Sequence, residues 1–155
     1  MYKTISEKDT ASFGAALASV LKKGDTVLLT GDLGAGKSVL ARGIARAFGV
    51  TGPMASPTFT LMQPYEGTEK IYHFDLYRLS DEDELYAAGL DECIGTDGIA
   101  LIEWPMEDMP VASCVKCALT REKDAETRHI QIATEAFSDR DEALRAALKQ
   151  WEDRA

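Results

Sequence analysis

The chain has 155 residues, 45% of them hydrophobic, and carries a formal net charge of −9. This length predicts one domain with a single core, and the acidic balance argues against broad contact with a nucleic-acid backbone, which requires basic patches. No apolar run approaches the length of a membrane span, and the first residues lack the apolar centre of a signal peptide. We therefore expect a cytoplasmic protein that has no membrane partner.

The first third of the chain predicts a short strand over residues 3–5 and a helix over residues 10–22. In that helix, Phe13, Leu17, Val20 and Leu21 recur at helical spacing and form one apolar face. A β-prone run over 26–30 follows, and an alanine-rich helical stretch over 39–48 ends at Gly49. Residues 31–38 lie between this strand and this helix.

Residues 31–38 read G-D-L-G-A-G-K-S, which matches the phosphate-binding pattern G-x-x-x-x-G-K-[ST]. Glycines allow consecutive backbone N–H groups to turn towards a phosphate, and the helix N-terminus adds partial positive charge there. Lys37 brings a full charge to the β- and γ-phosphates, and Ser38 offers a hydroxyl to Mg²⁺. The flanking strand and helix favour a nucleoside triphosphate site over a glycine-rich turn without function.

The middle of the chain predicts a loop over 50–57 and two paired strands over 58–66 and 70–77, joined by a turn at residues 66–67. A short helix should begin at Ser80 and end near Gly89, and a buried strand should cover 99–102. Thr58 and Thr60 are candidates for a switch loop that the γ-phosphate orders. The alternative is that both threonines serve only as β-formers.

Two carboxylates are candidates for the metal and the catalytic step. Glu103 follows the apolar strand at 99–102, as in a Walker B pattern, and Asp75 lies in the aromatic run H-F-D-L-Y-R over 73–78, where an unpartnered carboxylate would be costly to bury. Either acid is able to ligate Mg²⁺ while the other orients or deprotonates water. We expect Glu103 on the metal side and Asp75 shared between metal and water. His73 alternates with Asp75, but a structural role is expected for it.

The last third predicts a β-hairpin over 113–121 and 128–134, and then a helix that buries Leu144, Leu148 and Trp151. Residues 138–141 read S-D-R-D, which resembles a capping box at the start of that helix. Cys114 and Cys117 form a C-x-x-C pair. Because residues three apart in a strand point to opposite faces, we expect neither a redox nor a metal site there.

Four blocks together resemble one family. They are G-D-L-G-A-G-K-S at 31–38, S-P-T-F-T at 56–60, H-F-D-L-Y-R at 73–78 and L-I-E-W-P at 101–105. Their order and spacing are similar to those of TsaE (YjeE), the small bacterial P-loop ATPases of the tRNA threonylcarbamoyladenosine pathway. The resemblance implies an α/β, P-loop NTPase-like three-layer fold over 1–155, with a mixed, mostly parallel sheet, flanking helices and the C-terminal β-hairpin.

The resemblance also implies ATP and Mg²⁺ as cofactors, weak ATP hydrolysis, and TsaD and TsaB as partners. Those partners install the threonylcarbamoyl group on adenosine 37 of tRNAs that read codons starting with A, so contact with tRNA would be indirect. Lys37, Asp75 and Glu103 would be catalytic, and Ser38, Asp75 and Glu103 would bind the metal. The residues expected to contact nucleotide are Thr10, Asp32, Leu33, Gly34, Ala35, Gly36, Lys37, Ser38, Val39, Thr58, Trp104 and Arg128.

Two other function classes remain open. A small-molecule kinase would share the loop and the size, but such kinases usually place an arginine-rich lid over the phosphates, and residues 89–97 contain no Lys or Arg. A nucleotide-binding adaptor without catalysis would not need both Asp75 and Glu103. The chain contains no Asn and therefore lacks the guanine-reading N-K-x-D motif, which favours adenine over guanine.

Overall fold

The strands form one sheet in the computed structural model, which describes residues 1–55, 57, 60–107, 109, 111–124 and 126–153. Across these residues the strands are β1 (Tyr2–Thr4), β2 (Asp25–Thr30), β3 (Met62–Glu66), β4 (Lys70–Asp75), β5 (Ile99–Glu103), β6 (Ser113–Arg121) and β7 (Arg128–Glu135). Their order in the sheet is β1-β7-β6-β2-β5-β4-β3. The central strands β6, β2, β5 and β4 run parallel, whereas β1, β7 and β3 pair antiparallel at the margins.

Helices cover both faces of this sheet. They are α1 (Glu7–Ala18), α2 (Lys37–Ala47), α3 (Glu82–Ala87) and α4 (Arg140–Leu148). The helices α1, α2 and α4 pack on one face around Phe13 and Ile44, and α3 packs on the other face against Phe74 and Ile102. The three-layer, P-loop NTPase-like architecture is thereby confirmed. Among the described residues, no helix has the length and hydrophobicity needed to cross a bilayer.

Several element boundaries differ from the predicted ones. Helix α1 begins at Glu7 instead of residue 10, because the Ser6 side chain accepts a hydrogen bond from the Asp9 N–H at 3.0 Å. The hairpin over 58–66 and 70–77 is shorter than predicted. Strand β3 begins only after Leu61, which has a φ of +67°, and β4 ends at Asp75. Residues 58 and 59 lie outside the described part of the chain.

The capping box predicted at 138–141 is wrong. Asp139 occupies the N-cap position of α4 and makes no side-chain capping hydrogen bond, while Ser138 has a φ of +53°. The Asp141 carboxylate accepts a hydrogen bond of 2.6 Å from the Thr134 hydroxyl on β7 and is therefore engaged with the sheet. A tertiary contact has replaced the local one that the sequence pattern indicated.

The C-x-x-C pair is confirmed as two buried strand cysteines that face opposite ways. Cys114 packs with the core cluster under α3, whereas Cys117 packs with the cluster under α1 and α2. Burial raises the pKa of the Cys117 thiol to about 12. A thiol so far from ionisation lacks the nucleophilicity of a redox cysteine at neutral pH.

A buried ion pair ties the start of β2 to α4. Asp25 is 1% exposed, and Arg140 donates to both of its carboxylate oxygens, at 2.5 and 2.9 Å. The Ser113 hydroxyl and the Lys22 N–H add hydrogen bonds of 2.8 Å. Burial alone would raise the pKa of Asp25, but these hydrogen bonds outweigh that effect and lower it.

Replacing Arg140 with methionine is expected to reduce the free energy of unfolding at pH 7 by about 2 to 3 kcal/mol, because a buried carboxylate loses its partner. The matched control is Arg145→Met, since Arg145 is exposed on the same helix. The measurement is denaturant unfolding of both variants and the unchanged protein.

The same experiment has a defined pH dependence. The native pKa of Asp25 is lowered, so its stabilising contribution is complete above the ordinary aspartate pKa of about 3.9 and is lost as the pH falls below it. The difference between Arg140→Met and the unchanged protein should therefore shrink in acid. A difference that stays constant from pH 7 to pH 3 would contradict this assignment.

Candidate functional site

The glycine-rich loop connects the C-terminal end of β2 to the N-terminus of α2, as the motif requires. Gly34 has a φ of +81° and Gly36 a φ of +105°, a region that favours glycine. Gly36 is also the N-cap residue of α2. The first N–H groups of α2 have no partners within the helix, so the loop and helix together form a site that favours an anion.

Lys37 is buried beside this loop. Its ammonium donates to the backbone carbonyls of Gly31 and Asp32, the latter at 3.0 Å, and lies 4.1 Å from the centre of the Trp104 ring. Burial lowers the pKa of Lys37, while the carboxylates of Glu103, Asp32 and Asp75 act in the opposite direction. Lys37 is thus held within the loop by uncharged carbonyls and an aromatic face, partners that a phosphate would outcompete.

The two predicted acids stand side by side at the ends of neighbouring parallel strands. Asp75 on β4 is in register with Glu103 on β5, and they are 7% and 4% exposed. The Ser38 hydroxyl lies 3.0 Å from both carboxylate oxygens of Glu103, and the Tyr77 N–H donates to Asp75 Oδ1 at 3.0 Å. Two carboxylates and the hydroxyl of the loop motif therefore share one edge of the sheet.

This set of donors fits Mg²⁺. Carboxylate and hydroxyl oxygens are the hard ligands that this cation prefers, and Mg²⁺ is usually held by one or two carboxylates together with phosphates and water. Within the described ranges, no group of three or more His, Cys, Asp or Glu side chains is arranged as a metal cage. Ser38 and Glu103 could hold such a cation together with phosphate oxygens and water.

His73 belongs to this cluster, although the sequence predicted only a structural role for it. It is 1% exposed, and its Nε2 lies 2.6 Å from Glu103 Oε2. The available signal was the alternation of His73 with Asp75, which places both on one face of β4. The contact itself depends on how β4 is aligned with β5.

An aromatic pair borders the loop. Trp104 directly follows β5 with a φ of +55°, and its ring centre lies 4.9 Å from that of Tyr77. Tyr77 is exposed, as is Leu33 on the loop. The predicted neighbour of the nucleotide, Trp104, thus contacts both Lys37 and an exposed tyrosine.

Of two predicted contacts far from the loop in sequence, Arg128 lies beside the glycine-rich loop, whereas Thr10 bonds elsewhere. The Arg128 guanidinium, at the start of β7, donates to the Gly34 carbonyl at 3.3 Å. Arg121 pairs with Arg128 across the hairpin and also lies beside Gly34, a neighbour that sequence reasoning missed. Thr10 is buried in α1, and its hydroxyl bonds with the Thr4 hydroxyl at 2.7 Å and the Ser6 carbonyl at 3.0 Å.

The remaining predicted contacts differ in their surroundings. Asp32, Leu33 and Gly34 are exposed at the tip of the loop, whereas Ala35 is buried beneath it and Val39 is partly buried on α2. Thr60 is exposed in a turn, and Thr58 lies outside the described residues. The roles of all these residues towards a nucleotide stay predictions.

Comparison with known proteins identifies the family. The sequence model described as "Threonylcarbamoyl adenosine biosynthesis protein TsaE" matches residues 4–132. The chain belongs to the TsaE family. The matched stretch contains the glycine loop, both acids and Arg128. The resemblance predicted from the four sequence blocks is confirmed.

TsaE relatives support this membership over much of the chain. One from Treponema pallidum is 38% identical over 99 residues, covering 64% of this chain and 73% of the relative. One from Haemophilus influenzae is 48% identical over 98 residues, covering 59% of this chain and 62% of the relative. Both are named tRNA threonylcarbamoyladenosine biosynthesis protein TsaE.

A solved structure resembles this fold over almost its whole length. It is described as YdiB of Bacillus subtilis, with a TM-score of 0.74 and 31% sequence identity. The superposition covers 96% of this chain and 93% of that one. TsaE membership and the P-loop NTPase-like fold together imply that the chain binds a nucleotide.

Proposed function

We propose that this TsaE-family chain is a Mg²⁺-dependent ATPase, with one catalytic domain over residues 1–155, that acts in the cytoplasm with TsaD and TsaB. The complex would modify adenosine 37 of tRNAs that read codons starting with A. Transfer of the threonylcarbamoyl group would belong to TsaD. The observation that carries the proposal is the contact between Ser38 and Glu103 at 3.0 Å, which joins the phosphate loop to the acid of a neighbouring strand.

ATP would bind with its phosphates against the backbone N–H groups of residues 33–38. Lys37 would exchange its two carbonyl partners for oxygens of the β- and γ-phosphates, a stronger charge-assisted contact. Arg128 would stay beside Gly34 and border the nucleotide, and Trp104 would cover the lysine. Thr10 is retained as a predicted contact only through the family resemblance.

Ser38 and Glu103 would hold the cation, and Asp75 would share it or orient the attacking water. Held there, the cation would supply positive charge that offsets the negative charge of the phosphates. The low exposure of Asp75 and Glu103 supports a role in a water-poor site, where carboxylates interact strongly with charge. Hydrolysis by the chain alone is expected to be slow, and its nucleotide cycle would regulate the complex.

The acidic charge of −9 suits a protein that docks on other proteins and meets tRNA only through them. A small-molecule kinase is disfavoured because residues 89–97 carry no basic side chain. In the structure, this segment includes the short 3-10 helix Leu90–Cys93. Ile94 follows it and is buried in the same core cluster as Leu85 of α3.

Adding TsaD and TsaB should change the rate of ATP hydrolysis, and the three proteins should co-elute from a sizing column with ATP and Mg²⁺. The reason is that a regulatory nucleotide cycle must be coupled to its partners. A pull-down from lysate with and without ATP tests partner and nucleotide dependence together. An unchanged rate together with separate elution would refute the pathway assignment while leaving the ATPase proposal standing.

A further inference from the structure

We propose that His73 is a positioning residue that orients the Glu103 carboxylate for the cation of a bound nucleotide. The inference rests on the proposed Mg²⁺-nucleotide site. It assigns a role to a side chain that is not among the site residues predicted from the sequence. The hydrogen-bond partner of His73 is Glu103, which lies outside the loop motif. His73 acts through Glu103, from the neighbouring strand.

The hydrogen bonds around Glu103 are unequal at its two oxygens. Oε2 lies 2.6 Å from His73 Nε2 and 3.0 Å from the Ser38 hydroxyl, whereas Oε1 lies 3.0 Å from that same hydroxyl. A carboxylate has about four lone-pair sites, so Oε1 keeps capacity for a further partner. The imidazole thus fixes one oxygen and leaves the other available for a cation.

The second ring nitrogen of His73 makes no competing hydrogen bond within the described part of the chain. Nδ1 is buried and has no hydrogen-bond partner among the described residues. Because a carboxylate oxygen accepts, the hydrogen bond to Glu103 Oε2 assigns a proton to Nε2. The arrangement matches the outer-shell contacts that orient metal ligands, whose loss typically lowers metal affinity 10- to 100-fold.

Asparagine and glutamine at position 73 form a matched test. The glutamine amide nitrogen reaches the place of Nε2 and preserves a donor to Glu103, whereas that of asparagine, one methylene shorter, does not. The control is His129→Asn, which alters the other histidine, half-buried and paired with Glu122. The quantity measured is the ADP dissociation constant in EDTA and in Mg²⁺, and their ratio is the Mg²⁺ effect.

His73→Asn is expected to reduce the Mg²⁺ effect at least tenfold with little change in EDTA, while His73→Gln and His129→Asn retain it. The positioning role would be overturned if His73→Asn weakened ADP binding equally with and without Mg²⁺. It would also be overturned if a folded His73→Gln lost as much of the Mg²⁺ effect as His73→Asn. No Mg²⁺ effect in the unchanged protein would overturn the proposed function as well. Retention of the effect in His73→Asn would overturn this inference alone.

The unchanged protein provides a second readout that does not depend on any variant folding. Nitrogen NMR of labelled histidine should find the His73 proton on Nε2, and its signal should move when Mg²⁺ is added to the ADP complex. An Nε2 without a proton would overturn the inference, because His73 would then have no hydrogen to donate to Glu103.

Discussion

Alanine at position 37 is expected to lower ATP affinity at least a hundredfold, which corresponds to about 2.7 kcal/mol. Lys37 is the cationic group within the loop, and its charge-assisted hydrogen bonds to phosphate are each worth about 1.5 to 3 kcal/mol. The matched control is Lys23→Ala, an exposed lysine ahead of β2. If Lys37→Ala retained its ATP affinity, the proposal that the glycine loop binds the phosphates would be wrong.

Trp104 offers a direct readout of that binding. The Lys37 ammonium lies 4.1 Å from the centre of its ring, so movement of the lysine towards phosphate should alter the indole fluorescence. The chain has two tryptophans. The ring centre of the other, Trp151, lies 5.4 Å from that of Phe13 in the core under α1. A Trp151→Phe background isolates the signal of Trp104. Thermal unfolding of each variant separates lost binding from lost stability.

The second large effect is expected at Glu103. Glu103→Gln should lower Mg²⁺-dependent turnover at least a hundredfold, about 2.7 kcal/mol of barrier, because a neutral amide is a poor ligand for Mg²⁺. The amide has nearly the same shape and still accepts from Ser38, so nucleotide binding in EDTA should persist. Turnover and ADP binding are measured with and without Mg²⁺.

Two further variants complete that measurement. Glu107→Gln removes an exposed carboxylate from the segment after β5 and should leave turnover intact. Asp75→Asn tests whether Asp75 holds the cation or orients the attacking water. If this variant loses turnover but keeps the Mg²⁺ effect on ADP binding, Asp75 acts on the water. Equal losses in Glu103→Gln with and without Mg²⁺ would point to destabilisation instead.

The strand, glycine loop and helix at 26–48 were predictable because each is encoded by adjacent residues. Asp75 and Glu103 were recognisable as candidates for a related reason. Glu103 follows an apolar strand, and Asp75 lies in an aromatic run where an unpaired acid is costly to bury. Contacts that depend on strand alignment were not predictable. His73 meets Glu103 only because β4 pairs with β5 in one register. The order of strands in the sheet likewise leaves no local mark on the sequence.

Local signals failed where a distant partner competed for the same side chain. Asp141 completes a capping pattern in the sequence, but Thr134 on β7 binds its carboxylate instead. The predicted start of α1 at residue 10 is wrong for the opposite reason, because a local cap at Ser6 begins the helix at Glu7. Arg121 and Arg128 reach Gly34 only through the hairpin, which folds back onto a loop that lies 94 residues before Arg128 in the chain.

The position of β2 in the sheet has a consequence for folding during synthesis. Both strands that flank β2 come much later in the chain, β5 at 99–103 and β6 at 113–121, and β1 pairs only with β7 at 128–135. A nascent chain that has left the ribosome only as far as residue 98 has no neighbour for the strand that carries the glycine loop. Pairing over such long separations is slow. The phosphate site should therefore form late, after most of the protein has been translated.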